Sequence, residues 1–170
     1  MSNMAGKDRK EIEEIARKIL KDNNMYKIPV DPVILANKMG VNVANAEFVD
    51  PTISGMITVD NETAQIWVNV FDPHPRKIFT VAHELGHKVL HLGNGGRYID
   101  FQINMFRGNP DVNSEEHRKE IAANQFAAAL LMDEILVRDL WPKIKSVYKM
   151  AELFNVSQSA MGYRIDNLGL

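Results

Sequence analysis

Hydrophobic residues recur at spacings of three and four along several stretches of the chain, which is the pattern that one face of an α-helix produces. The first stretch spans residues 7 to about 23 and places charged side chains opposite its apolar face. Asp31 and Pro32 are typical of a helix start and Gly40 of a helix end, so a short second helix is predicted at 33–39. Further helices are predicted at 76–91, from about 113 to 132, and as two or three short helices after that.

Three shorter apolar runs lie between the second and third predicted helices and are typical of β-strands. They span residues 41–48, 53–59 and 64–70, and the polar segment 60–63 is typical of a hairpin turn. This order of elements predicts an α+β fold. In it, a small antiparallel three-stranded sheet packs with helix 76–91 and further helices, and a helical C-terminal region follows.

The length of 170 residues fits one domain, or one compact domain with a small appendage. We expect residues 1–140, including the N-terminal helices, to form the main domain, and residues 141–170 to form a helical subdomain packed on it. Trp141 and Pro142 are predicted to break the helical pattern, and residues 155–157 to form a tight turn. The glycine-containing stretch 92–112 has no lasting periodicity and is predicted to be a long loop, of a kind that is uncommon without a role.

The predicted helix 76–91 carries His83, Glu84 and His87 in the order of the HExxH motif of zinc hydrolases. Side chains four residues apart lie about 6 Å apart along a helix, so both histidines can bind one ion. Glu84 is turned by about 100° from His83, which keeps it off the metal but within reach of a metal-bound water whose proton it can accept. Apolar residues flank the motif, and a buried helix would not leave these polar groups without a partner.

A zinc site needs at least three protein ligands, so the two histidines require a partner. His91 continues their stripe, but it lies about 12 Å from His83 along a straight helix. We therefore predict that His91 is a buried, hydrogen-bonded packing residue. Glu120 is the better third ligand, because it shares a helical stripe with Asn124 and with small and apolar side chains. Asn124, one turn further on, is placed to orient Glu120 or a ligand histidine.

The amino-acid composition excludes some kinds of metal site and some kinds of binding partner. The chain has no cysteine, which excludes disulfides and thiolate zinc ligands, and its formal net charge of -2 gives no electrostatic case for nucleic acid as the main partner. Neither an N-terminal apolar signal segment nor a stretch long enough to span a bilayer is present in the sequence, so we expect a cytoplasmic protein without a membrane partner.

Three groups of residues together resemble the ImmA/IrrE family of bacterial metallopeptidases. They are Arg76 with the segment 79–91, the segment 120–132 with its Glu-x-x-Ala-Asn-x-Phe-Ala-Ala pattern, and the C-terminal segment 154–170. The resemblance implies a gluzincin-like fold, zinc held by His83, His87 and Glu120, and catalysis by Glu84. It also implies that the substrate is a helix-turn-helix repressor of stress-response or mobile-element genes.

Several alternatives stay open from the sequence. Residues 150–161 resemble a helix-turn-helix, so a DNA-binding or regulatory protein with a structural or latent zinc site is the rival hypothesis, although Arg164 is the only strong cation of its second helix. The ligand types would also suit Mn²⁺ or Fe²⁺. A substrate peptide is expected to lie along an exposed edge at residues 53–59. Four residues are candidates for oxyanion stabilisation, and none is assigned: Arg97, Tyr98, Arg107 and His117.

Overall fold

The computed structural model describes residues 8–60, 63–92, 95–101 and 114–170. Its helices are α1 (Arg9–Asp22), α2 (Pro32–Lys38), α3 (His74–His87), α4 (Glu115–Leu131), α5 (Glu134–Ile144), α6 (Val147–Phe154) and α7 (Gln158–Asn167). Its strands are β1 (Val41–Ala46), β2 (Ile53–Asp60), β3 (Thr63–Asn69) and β4 (Gly95–Phe101). The α+β class and the predicted helices and strands are therefore confirmed.

The sheet differs in detail from the expected antiparallel one, because it is mixed and has the strand order β1-β3-β2-β4. Strands β2 and β3 form the predicted hairpin, with Asp60 opposite Thr63, but β1 runs parallel to β3. Strand β4 falls in the stretch predicted as a long loop and pairs antiparallel with β2. Consequently β2 lies inside the sheet, and the expectation that residues 53–59 form an exposed edge is wrong. The rest of the expected loop, at 102–113, lies outside the described residues.

Side chains that accept hydrogen bonds from backbone N–H groups fix the predicted helix starts. The carboxylate of Asp31 accepts from Val33 N and Ile34 N at the start of α2, and the hydroxyl of Ser114 accepts from His117 N at the start of α4. Asn155 adopts a left-handed conformation between α6 and α7, as the predicted turn requires.

Two helix ends differ from the prediction. The regular part of α3 ends at His87 and continues as a π-helical turn at Lys88–Leu92, where the sequence indicated an unbroken helix. The break predicted at Trp141 and Pro142 is also wrong, because α5 continues to Ile144. A proline near a helix C-terminus removes one hydrogen bond without ending the helix at that point.

Helix α3 lies in the centre of the core, between the sheet on one side and α4 on the other. Val81 and Leu85 of α3 are at most 1% exposed, and Ile57 and Ile66 of the sheet are fully buried. No helix in the described ranges has the length and apolar composition needed to cross a membrane.

The close approach of α3 and α4 depends on Gly86. A Cβ atom placed on Gly86 would lie 3.1 Å from Phe126 Cδ1 and 3.2 Å from both the Cα and the carbonyl oxygen of Ala123. Such contacts are tighter than ordinary van der Waals contacts, and two of the three are made by backbone atoms. The absence of a side chain at Gly86 therefore sets the distance between the two helices.

Buried ionic contacts attach the C-terminal helices to the rest of the chain. Arg164 of α7 is 4% exposed and donates two hydrogen bonds to the carboxylate of Glu13, at 2.6 and 2.9 Å, and a third to Met132 O. Asp133 accepts from Arg17 at 2.7 Å and from the hydroxyl of Tyr26 at 3.0 Å. The contacts of both clusters tie α1 and α7 to the end of α4. The division into residues 1–140 and 141–170 stays a prediction.

Glu13→Ala should lower the free energy of unfolding by about 3–5 kcal/mol, because it leaves the guanidinium of Arg164 buried without its carboxylate. Glu14→Ala is the matched control, since Glu14 is the next residue on α1 and is exposed. Urea denaturation followed by circular dichroism measures both. Equal stabilities of the two variants would contradict a structural role for the buried pair.

Gly86→Ala should cost about 1–3 kcal/mol of stability, because the added methyl group must push α3 and α4 apart. Gly162→Ala provides the control within another helix, since a Cβ atom there meets no atom within 4 Å. We expect that substitution to be neutral or to stabilise by up to about 1 kcal/mol. Thermal denaturation of the two variants under the same conditions separates the packing effect from helix propensity.

Candidate metal centre and active site

Helix α3 brings the two histidines of the motif together, as their spacing predicts. His83 is 2% exposed and His87 is fully buried, and their Nε2 atoms lie 3.0 Å apart. The two rings meet edge to face with centroids 4.6 Å apart. Both imidazoles therefore direct the same ring nitrogen to one point beside α3.

Helix α4 supplies Glu120 to the same point. One carboxylate oxygen lies 3.3 Å from His83 Nε2 and the other lies 3.1 Å from His87 Nε2. The Glu120 side chain is 21% exposed, so the cluster is open to solvent on this side. Glu120 faces the histidines because Gly86 and Ala123 allow α4 to pack closely against α3.

The three side chains can hold a metal ion. Each offers one ligand atom, and these atoms all lie within 4.8 Å of one another. Two donor atoms that bind one zinc ion at about 2.1 Å in tetrahedral geometry are about 3.4 Å apart. The two Nε2 atoms lie 3.0 Å apart, and the distances from His83 and His87 to the two carboxylate oxygens of Glu120, 3.3 and 3.1 Å, are also close to this value. Both the donor types and their spacing fit a divalent cation.

The electrostatics of the cluster also suit metal binding. Burial lowers the pKa of His87 to about 4, which keeps the imidazole in the neutral form that binds metals. Burial tends to raise the pKa of Glu120, but hydrogen bonds from His83 and His87 outweigh it and lower the pKa to about 2. Near neutral pH the cluster therefore consists of a carboxylate next to neutral imidazole.

Asn124 orients one of the histidines, which was one of the two roles predicted for it. Its Oδ1 lies 3.0 Å from Nδ1 of His83. In the tautomer that binds a metal, Nδ1 carries the proton and donates to this amide oxygen, so the lone pair of Nε2 is available to a cation in place of the hydrogen bond to Glu120. Asn124 and Glu120 therefore act on the same point from successive turns of α4.

Glu84 is fully buried on α3 between the two histidines in sequence. Strand β2 passes next to it at Gly55, where a Cβ atom would lie 3.5 Å from Glu84 Oε1 and only 2.3 Å from Thr80 Cγ2. Any side chain at position 55 would displace Thr80, which lies one turn before Glu84. The close packing of Gly55 against α3 could not be predicted from the sequence, since a single glycine in a strand pattern does not reveal which helix lies against it.

Of the remaining candidates, the structure describes His91 and His117. His91 Nε2 lies 3.2 Å from the carbonyl oxygen of Lys119, which agrees with its predicted role as a hydrogen-bonded packing residue. His117 lies in the first turn of α4. The side chains of Arg97 and Tyr98, and all of Arg107, lie outside what the structure describes.

Comparisons with known proteins agree with this site. The model of a peptidase family (M78), described as the IrrE N-terminal-like domain, matches residues 36–166. The protein named metallopeptidase ImmA from Bacillus subtilis (strain 168) is 25% identical over 149 residues, which are 86% of this chain and 78% of that protein.

A solved structure named Mycobacterium tuberculosis transcriptional regulator has a TM-score of 0.64 at 15% identity. The match covers 91% of this chain but 46% of the regulator, so this chain spans about half the length of that protein. At this identity the likeness shows the fold alone. The family model, in contrast, matches far more than half of the chain, and the chain therefore belongs to the ImmA/IrrE family of metallopeptidases.

Proposed function

We propose that this chain is a zinc-dependent endopeptidase that cleaves a helix-turn-helix transcriptional repressor involved in stress response or in the control of mobile elements. The observation that carries the proposal is the meeting of His83, His87 and Glu120 at one point, next to Glu84 on the same helix as the histidines. The repressor as substrate rests on the family resemblance. A cytoplasmic location is part of the same proposal.

Each residue of the site has a defined task in this reaction. His83, His87 and Glu120 hold the zinc ion, although Mn²⁺ or Fe²⁺ would suit the same ligands. When bound, zinc lowers the pKa of water toward about 7 and polarises the carbonyl group of the scissile bond. Glu84 accepts the proton of the attacking water and then donates it to the leaving amine. The buried position of Glu84 shields that proton transfer from bulk solvent.

Contacts of the C-terminal helices favour a peptidase over a DNA-binding protein. Arg164, the strong cation of the second helix in the helix-turn-helix resemblance, is buried against Glu13. Among the exposed residues of α7 there is Asp166 but no lysine or arginine. A helix that binds the major groove needs several exposed cations to contact phosphates. Helix α7 instead packs on α1 and on the end of α4.

Asn124→Ala should weaken zinc binding about 10- to 100-fold, because His83 loses the acceptor that fixes its ring orientation. Asn124→Asp keeps an acceptor at the same position and should retain most of the affinity. Competition with a fluorescent zinc chelator measures the dissociation constants. Equal weakening by both substitutions would contradict the role of the side-chain oxygen as the acceptor for His83.

Glu84→Gln should reduce cleavage of the repressor by about 10²–10⁴-fold, because the amide cannot accept a proton from water. Zinc content should stay at the wild-type value, since Glu84 is not assigned as a ligand. Glu116→Gln, at an exposed position in the first turn of α4, is the control. Each protein is incubated with candidate repressors, beginning with one encoded next to this gene. Each incubation is done once in the presence of zinc and once in the presence of a chelator. Mass spectrometry then identifies the fragments. Wild-type activity in Glu84→Gln would disprove the assigned chemistry.

A further inference from the structure

A groove of about 680 Å³ lies beside the metal cluster, between α4, the first turns of α3, and α7. Much of its lining is apolar and comes from three separate segments of the chain. These are Phe79 in α3, the segment of α4 with Ile121 and Ala128 that is followed by Met132, and the segment with Val156 and Ala160 at the start of α7. Ile121 is 42% exposed and Tyr163, also on the wall, is 72% exposed. Apolar surface of this kind on a concave face is typical of a binding site.

The groove lies next to the candidate active site. Asn124, whose side chain contacts His83, is part of its lining. Phe79 lines the same wall, and its ring centroid lies 6.3 Å from that of His83. A peptide with its scissile bond at the metal cluster can therefore continue into the groove within a few residues.

The charge of the groove is opposite to that of the whole chain. The chain has a formal net charge of -2, whereas the lining contains three arginines and a single acidic residue. Glu13 is bound to Arg164, so these two charges cancel. Arg9 donates to the carbonyl oxygen of Asn167 and Arg76 donates to the hydroxyl of Ser54. Within the described residues, neither Arg9 nor Arg76 has a carboxylate at ion-pair distance.

We propose that this groove binds a segment of the protein substrate in which an aspartate or glutamate lies next to a large apolar side chain. The apolar side chain packs against Ile121 and Phe79, and the carboxylate pairs with Arg9 or Arg76 at the rim. The inference rests on the proposed peptidase function, because it treats the groove as an extension of the cleavage site. It adds a chemical preference that selects the substrate at a distance from the scissile bond.

Binding to a variant that cannot cleave tests the groove separately from catalysis. Full-length, zinc-loaded Glu84→Gln protein is used to select from a library of random dodecapeptides, and the selected peptides are labelled for fluorescence anisotropy. We expect aspartate or glutamate beside an apolar residue to be enriched. Replacing the acid by its amide in a selected peptide should weaken its binding about threefold, since an exposed ion pair contributes little.

Two substitutions in the groove, each made in the Glu84→Gln protein, test whether the peptides bind there. Ile121→Ser should weaken binding about tenfold through lost apolar contact. Arg9→Gln should weaken it about threefold for acidic peptides and not for their amide forms. The controls are Ile135→Ser, at an exposed isoleucine outside the groove, and Arg138→Gln, which replaces an arginine that also donates to a backbone carbonyl. Neither control should change the affinity by as much as twofold.

Several outcomes would overturn the inference. One is that the selected peptides show no enrichment of aspartate or glutamate, and another is that the groove and control substitutions weaken peptide binding equally. A third is that free glutamate competes as well as the selected peptides do, and a fourth is that the protein self-associates through a contact that Ile121→Ser abolishes. Any of these together with repressor cleavage by the wild type would remove the groove proposal and leave the peptidase function intact. Groove-dependent binding of acidic peptides without any cleavage by the wild type would support the groove as a binding site and contradict the peptidase function.

Discussion

The contact between α3 and α4 at Gly86 is the constraint on which the site depends. The two histidines lie on one helix, but the carboxylate that joins them lies on another, 33 residues after His87 in the sequence, and only close packing brings it within 3.1–3.3 Å of both rings. Gly86 and Ala123 permit that packing, because neither places a bulky side chain between the helices. Gly86, which directly precedes the second histidine of the motif, thus determines the position of the third candidate ligand.

The three candidate ligand side chains lie close together and are positioned by the surrounding protein. The Glu120 carboxylate lies between two imidazoles, and hydrogen bonds keep its pKa near 2 although it is largely surrounded by protein. Asn124 holds the far side of His83, so the ring cannot turn away. A site preorganised in this way loses little entropy when a metal ion binds, because the ligands already have their final directions.

The sequence was most informative where a local rule determined the structure. Helix starts at Asp31 and Ser114, the turn at Asn155 and the pairing of His83 with His87 all follow from residues close together in the chain. Glu120 was identified because its stripe also carries Asn124. In contrast, the parallel pairing of β1 with β3, the glycine-led strand β4 and the approach of Gly55 to Glu84 depend on contacts between distant segments. Hydrophobic alternation gives neither the direction of a strand pair nor the helix that packs against a strand.

The buried pair of Glu13 and Arg164 joins residues 151 positions apart. During synthesis of the chain on the ribosome, this pair cannot form until α7 has emerged, whereas α3 and α4, which carry the candidate metal ligands, emerge earlier. One wall of the groove is built from the same late segment. Nascent chains therefore complete the lining of the groove only after the histidines and Glu120 have been translated. The metal cluster can form first, and the groove forms later.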